Sequence, residues 1–265
     1  MAAADLMVVI VVIFLERINY IYLFANFLLI TPACSLLLVL SHASRVCSVW
    51  LTVAFTFDRC VAICCEKQRN RYCTKRTATV VVATVSAACC AEAIPFYFAV
   101  DRWSCVPVAE YYTSPLWKAY EIFDSITTPL LPICLILLFN ISTVKRIIAT
   151  NRVRQVLRNS SENRSDPELA NRRKSMILLF ALSVNFILLW MPYVVHSRNW
   201  QIENYSYTDR YLSKPTYILQ QCGFMLSFLS TCTNTCIYGL TQRKFREELK
   251  NGVKYLFVAT GEICK

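Results

Sequence analysis

An acid and a base stand side by side at Asp58-Arg59, near the end of a long apolar run. A guanidinium held by a neighbouring carboxylate can exchange that partner for backbone carbonyls, so such a pair can act as a switch. The plainer reading is an ion pair closing a helix end. Upstream on one helical face lie Ser41, Arg45, Ser48 and Thr52, in line with Arg59. A buried Arg45 suits a carboxylate, whether from a ligand or from an acid inside the protein. A further acid, Asp5, sits within the apolar N-terminal run, where it needs partners. No nucleophile–base pair, metal-ligand set or phosphate-binding loop occurs, so enzymatic chemistry has no support.

The element that positions the pair runs from Cys34 to Cys65 without glycine or proline. As a helix, Cys34 to Arg59 spans about 37 Å. A hydrocarbon core is roughly 30 Å thick, so a tilted helix places Cys34 beyond one face and Arg59 at the other. Lipid cannot solvate its polar stripe, which must face other helices or a water-filled cavity. For the serines and the threonine, satisfied interhelical hydrogen bonds account for the stripe equally well.

The composition is 56% hydrophobic with only four glycines, which points to a polytopic membrane protein. The net charge of +11 raises nucleic acid as a partner, but its placement argues for topology. Of 28 Lys and Arg, 20 lie in three segments: five in Lys67–Arg76, nine in Lys145–Lys174 and six in Arg243–Lys265. These alternate with connections poor in basic residues, so they are predicted to be cytoplasmic, the C-terminus included. Cys47, Cys89, Cys90, Cys134, Cys232 and Cys236 are expected to be small buried hydrophobes, and Cys64, Cys65 and Cys73 reduced thiols on the inner side. Cys34 and Cys105 fall at the outer face, which makes them a disulfide candidate.

The pattern predicts an all-α bundle over residues 1–240, with spans at about 1–15, 33–65, 77–98, 122–148, 175–197 and 215–240. The first is short, and the chain is expected to begin inside a transmembrane helix. The region 100–118 reads as an outer loop. Glu92 is expected to snorkel or pair, and Pro129, Pro132 and Pro192 to kink their helices. Residues 241–265 read as a cytoplasmic amphipathic surface helix and tail, with Phe245 and Leu249 toward lipid. The outer Asn204 is a glycosylation candidate; Asn159 and Asn163 fall inside.

The motifs together resemble the rhodopsin-like (class A) G-protein-coupled receptors. Ala2-Ala3-Ala4-Asp5-Leu6 looks like the acidic motif of that family's second helix. Cys34 looks like the cysteine heading the third, with the family's 25-residue spacing to Arg59 of an Asp-Arg-Cys variant of Asp-Arg-Tyr. Pro132 matches the fifth-helix proline. Phe186 and Leu189-Trp190-Met191-Pro192 match the sixth-helix motif, and Asn234-Thr235-Cys236-Ile237-Tyr238 matches Asn-Pro-x-x-Tyr with Thr for Pro. The family has seven spans, so its first helix and the inner part of its second are expected to be missing from this sequence, as in a truncated gene model.

The resemblance implies a receptor at the plasma membrane that senses an extracellular small ligand, an aromatic amino acid or short peptide, and activates a heterotrimeric G protein of the Gq type. Asp58, Arg59, Phe186, Trp190, Pro192 and Tyr238 carry over as the activation switch, with core packing as the plainer role of the aromatics. Asp5, Ser48 and Asn234 carry over as a polar network that holds sodium or water; no other cofactor is implied. Ser41 replaces the aspartate of amine receptors, which disfavours an amine ligand. Ser41, His42, Arg45, Tyr193, Arg198, Gln220 and Phe224 are the pocket candidates. Arg172 stands where many members carry an acid that locks the switch arginine, so a leakier resting state is expected. Asn140 takes the place of the fifth-helix tyrosine. A non-signalling receptor fragment is the alternative, and a transporter a more distant one, since no inverted repeat or glycine-broken helix is present.

Overall fold

The computed structural model describes residues 5, 6, 8–11, 33–65, 71–101, 107–158, 177, 180–196, 215–241, 246, 247 and 250–252. Among them the architecture is helical, with one isolated bridge between Val100 and Pro107. The helices are α1 (Ala33–Cys64), α2 (Lys75–Ala93), α3 (Ala109–Thr113), α4 (Pro115–Ser125), α5 (Leu131–Arg158), α6 (Phe180–His196) and α7 (Pro215–Thr241). Residues 5, 6 and 8–11 are helical as well.

Among the described residues, three stretches are long and apolar enough to cross a bilayer: Ala33–Cys64, Lys75–Phe98 and Pro115–Thr150. The second begins at a cap, with Thr74 accepting from the Thr77 amide at 3.2 Å. It ends in a 3-10 turn, Ile94–Phe98, with Pro95 near its start. The third begins at Pro115, where Ser114 caps the Leu116 amide at 3.3 Å and proline takes the first helical position. The stretch expected as an outer loop is therefore partly helical, with Trp117 and Lys118 on α4.

Between α4 and α5 the backbone widens into a π-helical segment, Ile126–Leu130, containing Pro129. The Leu131 amide reaches back five residues to the Ile126 carbonyl. The wide turn accommodates a ring that cannot donate and would collide with the preceding turn. Pro129 and Pro132 are both fully buried.

α1 packs against α2 and α5. The core lies where Val49 and Val53 of α1, Ile136 of α5 and Phe186 and Trp190 of α6 meet. Leu137, Leu138 and Ile141 on α5 and Leu188 and Met191 on α6 point outward, as lipid-facing positions should. Cys90 and Cys134 are also exposed, contrary to the expectation that they are buried; Cys89 is buried. Val8 packs with Phe228 and Phe224, which sets the stretch 5–11 against α7. Gly223 lets α6 and α7 approach closely: a Cβ there would stand 3.0 Å from the Tyr193 Cα and N.

Candidate functional site

The polar stripe of α1 faces inward. Ser41, Ser48 and Thr52 are buried, together with Ser44 and Thr56, which the sequence reading did not single out. Thr52 and Thr56 donate to the carbonyls one turn back, Ser48 and Thr52, at 2.9 and 2.8 Å. Those hydroxyls are satisfied within their own helix. Ser48 instead donates across the bundle to Asp5 Oδ1 at 2.7 Å, and Asp5 is 2% exposed. The other carboxylate oxygen, Asp5 Oδ2, has no hydrogen-bond partner among the described residues. Asn234 is buried on α7 with Oδ1 likewise unpartnered, as is the Ser230 hydroxyl one turn earlier. Two members of the expected polar network thus touch, while Asn234 makes no described bond to either.

Toward the N-terminal half of α1, α1, α4, α6 and α7 converge on His42 and Arg45. Arg45 Nη2 lies 3.4 Å from His42 Nδ1. Arginine has no acceptor, so Nδ1 accepts and the imidazole proton sits on Nε2. His42 Nε2 lies 3.2 Å from Asp124 Oδ1, off the axis of a good hydrogen bond, as an electrostatic contact. Thr128 donates to the same Asp124 oxygen at 3.1 Å. A half-buried cation and a buried anion are bridged by one imidazole, and Arg45 Nε is left without a described partner.

The guanidinium carbon sits 5.7 Å from the Phe224 ring centroid, within cation–π range. From Phe224, ring contacts run through Tyr193 (5.4 Å) and Trp190 (5.7 Å) to Phe186 (5.6 Å). Any displacement at Phe224 is in direct packing contact with the core of α1, α5 and α6. On the other side, His42 stacks against Phe96 at 4.2 Å, and Phe96 meets Tyr120. Glu92 is paired, accepting from Thr127 at 2.8 Å.

Asp124, Thr128, Phe96 and Tyr120 were missed by sequence reasoning. The Ser114-Pro115 helix start was the available signal: it carries the helix through Asp124 and puts Thr128 one turn on. Of the pocket candidates, Ser41, His42, Arg45, Tyr193 and Phe224 gather here, and Gln220 is partly buried on α7. Arg198 lies outside the described residues, as do Arg172, Asn159, Asn163, Asn204, Phe245 and Leu249. Cys34 is disulfide-bonded, and Cys105 also lies outside the described residues.

At the opposite end of α1, Arg59 Nη2 meets Asp58 Oδ2 at 2.9 Å, and the side chains are 43% and 38% exposed. A pair this open contributes at most about 1 kcal/mol. It is therefore a tether that another partner can displace. Arg59 also lies 5.2 Å from the Phe55 ring centroid. Pro192 is half-buried on α6; Tyr238 lies on α7, its side chain outside the description.

A membrane-spanning helical bundle with a charged cluster at one end and an exchangeable Asp-Arg pair at the other has the layout of a transmembrane signal receptor. The family model for the 7 transmembrane receptor (rhodopsin family) matches residues 1–238, and the chain belongs to that family. Its members are multi-pass membrane receptors that signal through G proteins.

Proposed function

We propose that the chain is a plasma-membrane receptor that binds an extracellular aromatic amino acid or short peptide and activates a heterotrimeric G protein of the Gq type. In this reading the outer end of α1 faces the extracellular space and Asp58-Arg59 and the C-terminus face the cytoplasm. One observation carries the ligand class: Arg45 keeps an unpartnered Nε beside buried Asp124, under the Tyr193 and Phe224 rings. Arg45 suits the ligand carboxylate, Asp124 its ammonium, and the rings its aromatic side chain.

The finer likeness is to the probable G-protein coupled receptor 139 of fish, in the segments Cys47-Ser48-Val49-Trp50, Phe55 to Cys65 and Asn185 to Trp190. The likeness supports both the ligand class and the Gq assignment. Asp5, Ser48 and Asn234 form the proposed sodium network. The unpartnered buried oxygens of Asp5 and Asn234 fit a hard cation, which would supply positive charge beside Asp5.

The test is inositol phosphate accumulation in cells expressing the chain, with aromatic amino acids and di- and tripeptides as probes. A dose-dependent rise that is lost in Arg45→Ala supports the proposal. A response confined to amines without a carboxylate overturns the ligand class.

A further inference from the structure

Where α1 packs on α2, two thiols and a hydroxyl meet in the middle of the membrane span. Cys47 Sγ lies 3.5 Å from Ser86 Oγ. The Cys47 and Cys89 thiols are hydrogen-bonded to each other across the two helices. Ser86 and Cys89 are three residues apart and share one face of α2. Cys47 thus has two polar neighbours, where a cysteine that only fills space needs none.

The depth of this cluster decides what can reach it. Counted from Cys34, Cys47 stands about 20 Å down the helix, near the middle of a hydrocarbon core roughly 30 Å thick. Cys89 is 3% exposed, while Cys47 and Ser86 are half-buried. Cys90, one turn beyond Ser86 on the same face, is exposed. The cluster is therefore closed behind Cys89 and open toward acyl chains beside Ser86. The thiol pools that keep cytoplasmic cysteines reduced act in water. At this depth the available oxidants are those dissolved in the lipid.

We infer that Cys47 and Cys89 are a reactive thiol pair that reduces lipid hydroperoxides and closes into a disulfide tying α1 to α2. The Cys47 sulfur attacks the terminal peroxide oxygen. An S–O bond forms, the O–O bond breaks, and the thiol proton passes to the departing alkoxide. The products are a lipid alcohol and a sulfenic acid on Cys47. The Cys89 sulfur then attacks the Cys47 sulfur. The S–S bond forms, the S–O bond breaks, and the hydroxyl leaves with the Cys89 proton as water. Two thiols lose two electrons in all, and the hydroperoxide gains them. Ser86 is the positioning residue, with its hydroxyl against the attacking sulfur. The reaction needs the bilayer but no signalling activity, so it stands apart from the receptor reading.

The test places the whole chain in phosphatidylcholine vesicles with two probes, a phosphatidylcholine hydroperoxide in the bilayer and hydrogen peroxide in the buffer. Free thiols are then capped with a maleimide in denaturant, and nonreducing proteolysis with mass spectrometry reads the Cys47–Cys89 peptide pair. The pair is expected with the lipid probe, about tenfold or more faster than with hydrogen peroxide, which must leave water for hydrocarbon. The oxidised chain is expected to melt roughly 5–10 °C higher, and dithiothreitol in detergent to reverse the rise. Cys89→Ser is expected to stop at a sulfenic acid on Cys47, trapped by a membrane-permeant 1,3-dione. Ser86→Ala is expected to slow disulfide formation by about fivefold, the effect of one hydrogen bond.

Cys47 and Cys89 both recovered with maleimide after the lipid hydroperoxide is consumed overturns the thiol pair. Equal rates with the two probes overturns the lipid source. An undiminished rate in Ser86→Ala removes Ser86 from the site. If Cys89→Ser does not reach the folded state, the unmodified chain and Ser86→Ala, which keeps both thiols, still decide the matter.

Discussion

Ser48 of α1 donates a hydrogen bond of 2.7 Å to the carboxylate of Asp5, and both side chains are buried. A carboxylate in the interior of an apolar bundle is costly, and each hydrogen bond to its oxygens lowers that cost. This bond ties the N-terminal stretch to α1, while Val8 and Phe228 tie it to α7. The polar stripe of α1 thereby becomes the wall of an internal network.

Ser48→Ala removes the one described partner of that carboxylate. The expected cost is about 1–3 kcal/mol. It is read as a lower Tm in detergent, with Asp5→Asn in the Ser48→Ala background recovering part of it. An unchanged Tm would show that Asp5 is hydrated in the folded bundle.

Gly223→Ala places a Cβ 3.0 Å from the backbone of Tyr193. The obstacle is main chain, so it cannot rotate away, and α6 and α7 must separate by a few tenths of an ångström. Overpacking of this kind costs about 1–3 kcal/mol. The measurements are Tm and agonist potency, and both are expected to fall, because the displaced Tyr193 ring forms part of the aromatic wall.

Phe186→Ala opens the core between α1, α5 and α6. Burial at 2% exposure sets the cost at about 3–5 kcal/mol. Phe186→Leu is expected to lose far less stability while breaking the ring contact to Trp190. If signalling survives in Phe186→Leu at wild-type efficacy, the aromatic chain is packing alone.

Arg45→Ala and Asp124→Asn are each expected to weaken an amino-acid agonist by about 10- to 100-fold, the range for a hydrogen bond to a charged group. Potency in the inositol phosphate assay is the readout. An N-acetylated ligand should be insensitive to Asp124→Asn and remain sensitive to Arg45→Ala, which separates the two ends of the ligand.

The inward face of α1 was legible because glycine-free apolar sequence fixes the helix, and a polar residue on it can only face protein. Ser41, Ser48 and Thr52 followed from that. Their partners did not. Thr52 bonds its own backbone and Ser48 bonds Asp5, a choice made by the register of neighbouring helices, which spacing along one chain does not encode. Asp124 was hidden because Lys118 and Glu121 make the start of its span look like loop, although Ser114-Pro115 marks a helix start. Cys90 and Cys134 were misjudged because apolar surroundings in a membrane protein mean lipid as readily as core. The Asn140–Ser183 contact links positions 43 residues apart and required the packing of α5 on α6.

The most direct measurement is nucleotide exchange on purified heterotrimeric G protein added to membranes carrying the chain, compared with Arg59→Gln. The glutamine keeps a polar, hydrogen-bonding side chain but removes the charge that Asp58 holds at 2.9 Å. The account predicts exchange with the unmodified chain that rises with agonist, and loss of at least about tenfold in Arg59→Gln at equal surface level, the effect of about 1.4 kcal/mol. Exchange that is undiminished in Arg59→Gln would contradict it.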